Sequence, residues 1–90
     1  MWIRSQDKEL LKNVNSIEII KYEGEKYTTI LGDGWNLGVY STKEKALKVL
    51  NEIQDAIEDT GYYRIDNRGI FAFVNGVQVY QLPADEDVEV

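Results

Sequence analysis

Three stretches of this sequence hold residue types that could do chemistry. The first is "MWIRSQDK", with Trp2, Arg4 and Gln6. The second is the glycine-spaced "GDGWNLG" at 32–38, and the third is a short run holding Tyr62, Tyr63, Arg64, Arg68, Phe71 and Phe73. Arginine and tyrosine are common hot-spot residues of protein interfaces. They can also pair with a phosphate and stack on a nucleobase. A glycine loop cradles phosphate when it follows a strand and opens a helix. Here the glycines lie between two strand-like runs, so 32–34 is read as a hairpin turn. Acids could serve as a glycosidase pair or a divalent-metal site. The available ones, Asp33, Asp66, Asp85, Glu86, Asp87 and Glu89, show no metal-ligand spacing. The chain has neither cysteine nor histidine. That excludes thiolate zinc sites, cysteine nucleophiles and Ser-His-Asp triads. A non-catalytic protein without cofactor or metal is expected.

The elements that must position these residues follow from periodicity. Ala46, Leu47, Val49, Leu50, Ile53, Ala56 and Ile57 recur at helical spacing, predicting an amphipathic helix over about 42–59. Ser41 and Glu44 fit a capping box at its start, and Gly61 fits its end. Before it, "WIRS", "NSIEIIKY", "KYTTIL" and "WNLGVY" read as an antiparallel meander of about four strands. Trp35, Leu37 and Val39 are expected on one face. After it, "IFAFV" and "VQVYQL" flank Asn75-Gly76, predicting a C-terminal β-hairpin over about 70–82. The fold class is α+β. Residues 1–83 form a single domain and residues 84–90 a flexible acidic tail. Trp2 is expected to pack inward, with "SQDK" opening a turn.

The net charge is −6, and four of the sixteen acids lie in the last six residues. Residues 1–84 then hold twelve acids against ten bases, which disfavours direct nucleic-acid binding through a basic face. Residues 1–15 lack the apolar run of a signal peptide, and no run approaches the ~20 residues of a membrane span. No membrane association and a cytoplasmic location are expected. Glu52, Asp55, Glu58 and Asp59 crowd the end of the helix, against its dipole. They are offset by Arg64 or Arg68, or present an acidic patch to a basic partner. The strand holding Phe71 and Phe73 is apolar on both faces, which one helix cannot cover. This favours a homo-oligomer or a protein partner; the alternative is a sheet curved onto itself.

The segments "MWIRSQDK", "VNSIEI", "LGVYSTKEKALKVLNEIQ" and "VYQLP" together resemble a family of small uncharacterised proteins of Firmicutes and their phages and prophages. The resemblance spans residues 1–82 and implies a host cytoplasmic setting and a phage accessory role. It implies no catalytic residues. The expected function is a small binding protein that inhibits a host system by occupying a host protein's surface. Its contacts would be Tyr62, Tyr63, Arg64, Arg68, Phe71 and Phe73, with Arg4 and Gln6 as donors awaiting acceptors. The alternatives are an oligomeric sponge for a small nucleotide messenger and a structural module without a dedicated ligand.

Overall fold

Ile3 is fully buried between two exposed neighbours, Trp2 and Arg4. This alternation defines Trp2–Arg4 (β1) as a half-buried strand. The computed structural model describes residues 1–60, 65–66, 69–70 and 79–90. A turn over 5–10 returns the chain into Leu11–Asn13 (β2), antiparallel to β1. Ile17–Ile20 (β3), Thr28–Gly32 (β4) and Trp35–Tyr40 (β5) form a second, antiparallel sheet in chain order. Lys43–Thr60 (α1) packs on this second sheet. Ile65–Asp66 (β6) and Gly69–Ile70 (β7) pair as a two-residue ladder. Val79–Gln81 (β8) closes the first sheet, running parallel to β1 in the order β2-β1-β8.

The architecture is α+β, with one long helix at the predicted place. Its strand arrangement differs from a single meander in three respects. Five strands precede the helix and divide between two three-stranded sheets. The additional strand, β2, is the unpromising "LKN", held because β1 offers it a ladder. Finally, β8 pairs in parallel with the first strand of the chain; Asn75-Gly76 lies outside the described residues.

The turn of the β4–β5 hairpin is Asp33-Gly34, both at positive φ (49° and 85°). Two left-handed residues give the mirror-image turn whose twist matches a two-residue hairpin. Asp33 also works as a clamp. Its carboxylate accepts the Asn15 and Ser16 N–H groups (3.1 and 3.0 Å) and the Ser16 hydroxyl (3.2 Å). The glycine-spaced stretch is thus a structural joint between hairpin and β2–β3 connection.

Within that hairpin, Ile30 faces Gly38 and Leu31 faces Asn36, which leaves Leu37 as an extra, bulged residue. The bulge breaks the expected common face of Trp35, Leu37 and Val39. Trp35 stays exposed, with Lys12 Nζ 5.0 Å from its ring centroid. Leu37 enters the core, Val39 is half-buried and Tyr40 is buried. The core joins Ile3 and Leu82 to Ile30, Leu37, Val49 and Ile53. Each such side chain stabilises the fold by roughly 1.5–3 kcal/mol.

Two expectations at the helix start and chain end are corrected. Thr42, not Ser41, is the cap: its Oγ1 accepts the Lys45 N–H at 3.1 Å. Ser41 instead donates its backbone N–H to Asp85 Oδ1 at 2.7 Å. Residues 84–90, expected as a flexible tail, are docked. Asp85–Asp87 form a short 3-10 turn and Val88 is buried in the core. Lys45 Nζ donates to the Asp85 carbonyl (2.9 Å) and pairs with its carboxylate, while Lys48 Nζ donates to the Glu89 carbonyl. Val88 gives the segment an apolar anchor that its acidic composition conceals.

The carboxyls of Asp33 and Asp85 are both held below their ordinary range, first by the N–H groups of Asn15 and Ser41 respectively. A depressed folded-state pKa adds stability above the unfolded value and loses it as pH falls through the folded value. Thermal melts should therefore show a loss of stability below about pH 4. Asp33→Asn and Asp85→Asn should each lower Tm at neutral pH and shrink the acid-induced loss. Mutants whose acid limb parallels the parent's would contradict this assignment.

Candidate functional site

The stretch "SQDKE" forms a tightly bonded turn. Ser5 is buried, and its backbone N–H donates to the Leu10 carbonyl at 2.8 Å. Its hydroxyl donates to Asp7 Oδ1 (2.6 Å) and accepts the Leu10 N–H (3.0 Å). Asp7 Oδ1 also accepts the Glu9 N–H at 3.0 Å. These bonds, with Ser5 first, hold the Asp7 carboxyl below its ordinary range. Lys8 takes a left-handed φ of 70°, a conformation that costs a residue with a Cβ roughly 1–2 kcal/mol. Its carbonyl accepts Arg4 Nε at 3.0 Å.

Gln6 points the other way, into the seam between the sheets. Its backbone N–H donates to the Leu37 carbonyl at 2.8 Å. Its carboxamide accepts the Val39 N–H at Oε1 (3.0 Å) and donates from Nε2 to the Val39 carbonyl (2.9 Å). A second acceptor of Nε2 is the Pro83 carbonyl at 3.4 Å. One side-chain amide thus meets β5 as the backbone amide of a further strand would. Tyr40 Oη donates to the same Pro83 carbonyl at 2.7 Å, and burial pushes that phenol's pKa up. A Cβ added at Gly38 would lie 2.9 Å from Leu82 Cδ2 and 3.0 Å from Gln6 Cβ. The seam closes because that Cβ is absent.

The outer face of the first sheet is the exposed surface these bonds support. Register places Asn13, Trp2 and Val79 in one row, and Leu11, Arg4 and Gln81 in the next. Trp2 is 37% exposed, Leu11 53% and Val79 50%. Trp2 therefore does not pack inward; Ile3 fills that role because adjacent strand residues must face opposite sides. The inward row runs through Ile3 and Tyr80. Tyr80 Oη donates to Glu52 Oε1 of α1 at 3.1 Å, so the outer face looks away from the helix and its acids. No family model, curated protein or solved structure matches the chain.

Of the residues expected to form a site, Arg4 and Gln6 fall on opposite sides of one turn and do not act together. Tyr62, Tyr63, Arg64, Arg68, Phe71 and Phe73 lie outside the described residues, as does the Asp59 side chain. Glu52 is taken by Tyr80, while Asp55 and Glu58 are exposed. Sequence reasoning missed Leu11 and Val79 as surface partners of Arg4, because only the cross-strand register brings them together.

Among the described residues, two hollows lie beside the second sheet. One, of about 290 Å³, runs between Met1, Val14, Ile17, Leu50, Ile53 and Ile57 and has no charged side chain to orient a ligand. The other, of about 330 Å³, includes Tyr27, Tyr40 and Asp85. Tyr40 and Asp85 are already bonded within the fold. Among the described residues, no group of three or more acids is placed to hold a metal ion, and no helix is long and apolar enough to cross a membrane.

The seam is tested by urea denaturation. Gln6→Glu sets a carboxylate against the Val39 and Pro83 carbonyls and should cost about 1–3 kcal/mol at neutral pH. Stability should recover on acidification, as the carboxyl regains a proton to donate. Gly38→Ala should cost about 1–3 kcal/mol by overpacking. Parental stability in Gln6→Glu at neutral pH would contradict the seam.

Proposed function

We propose that this is a non-catalytic binding protein that acts by occupying the surface of another protein through the outer face of its first sheet. The observation that carries this reading is the exposure of Trp2, Leu11 and Val79 around Arg4 on one continuous face. Tryptophan and arginine lose the most when interface residues are truncated, and aliphatic neighbours that exclude water strengthen them. A host protein as the target fits the family resemblance of the "MWIRSQDK" segment. The Ser5–Leu10 turn supports the reading too, because a face that is ordered before contact loses less entropy on binding.

Photo-crosslinking tests the reading directly. A benzophenone side chain at Leu11 or Val79, in protein produced in a bacterial host, should give one discrete adduct with a host protein. The same group at Glu44, on α1, should not give it. Leu11→Lys should abolish the adduct formed from Val79 without changing the melting curve. Equal adducts from Leu11, Val79 and Glu44, or none from any, would contradict the proposal.

A further inference from the structure

The chemistry of the partner can be read from Arg4. We infer that the outer face captures a protein segment in which a carboxylate is flanked by apolar side chains, with the Arg4 guanidinium holding that carboxylate end-on. The inference rests on the docking role proposed for this face.

Arg4 lies in the central strand of its sheet, between Leu11 on β2 and Gln81 on β8. Its Nε is already engaged, donating to the Lys8 carbonyl at 3.0 Å. Its two terminal nitrogens have no acceptor among the described residues. The nearest acid in sequence, Asp7, is spent on Ser5 and Glu9 within the turn. The one ion pair among the described residues joins Lys45 and Asp85. The guanidinium is thus fixed at one edge, and its paired outer N–H groups remain to be used. A planar fork of this kind matches a carboxylate bidentately, which a lysine cannot do.

Charge complementarity selects the occupant. The chain carries a net −6. Yet the six residues of this face, Trp2, Arg4, Leu11, Asn13, Val79 and Gln81, include one cationic side chain and no carboxylate, and the N-terminal ammonium beside them donates to Asn13 Oδ1 at 2.9 Å. The acids Glu44, Glu52, Asp55 and Glu58 lie on α1, which the inward row of the sheet faces. A guanidinium set among Trp2, Leu11 and Val79 favours an acid that brings its own apolar flanks. Those flanks cover the rim and exclude the water that would otherwise weaken the pair. A second copy meeting this face through its own copy of the same face would bring Arg4 and no acid.

The test is an NMR titration of the intact protein with two capped peptides, acetyl-Leu-Glu-Leu-amide and acetyl-Leu-Gln-Leu-amide. The glutamate peptide should shift the Arg4 Nε–H and Trp2 indole N–H signals saturably in the millimolar range, and bind about tenfold more tightly than the glutamine peptide. Arg4→Gln should erase that preference, and Arg4→Lys should reduce it. Equal binding of both peptides through Trp2 would overturn the carboxylate claim and leave the docking face standing. An unchanged preference in Arg4→Gln, shifts confined to other regions, or no shifts at all would also overturn it. In those cases the Leu11 and Val79 adducts judge the docking role alone.

Discussion

The structure depends on one side-chain amide. Two three-stranded sheets lie side by side, and their backbones share no continuous ladder where β5 meets the β1–β2 turn. The free edge of β5 would leave the Val39 N–H and carbonyl without partners. Gln6 supplies both, with an acceptor and a donor on one carboxamide. An unmade pair of this kind costs more than a made one contributes, so the seam constrains everything packed against it. Gly38 must lack a side chain, Leu82 must close over it, and Tyr40 must reach Pro83.

The same short turn serves both sides of the sheet. Gln6 anchors it inward while the Lys8 carbonyl steadies Arg4 on the outside. The left-handed Lys8 and the doubly bonded Asp7 belong to this arrangement: strain at one residue persists where neighbouring bonds over-determine it. The core packing of Ile3 and the outward setting of Trp2 and Arg4 then follow from strand alternation. Fold and surface are therefore coupled through three consecutive elements: β1, its turn and β2.

Much of the scaffold was legible from residue pattern. The helix declares itself by its 3.6-residue apolar repeat, and Asp33-Gly34 by its demand for positive φ. What escaped depends on contacts distant in sequence. Leu11–Asn13 has weak strand character and is a strand because β1 pairs with it. The bulge turns Leu37 into the core it shares with Val14, over a Gly32 that has no room for a Cβ, which no alternation rule contains. The acidic C-terminal segment reads as a solvated tail until Val88 and Asp85 are seen to be received by the core and by Ser41. The site was legible only in part. Arg4 and Gln6 stood out as donors, but their opposite orientations, and the company of Leu11 and Val79, required the register.

The most direct test of the account is hydrogen exchange at the Val39 amide. Its only bond in the seam is to Gln6 Oε1. In the parent protein it should exchange as slowly as the β4–β5 ladder amides. In Gln6→Leu it should exchange far faster, while Ile30 in the same hairpin stays protected. Equal protection of Val39 in both proteins would show that the Gln6 carboxamide is not what protects the edge of β5.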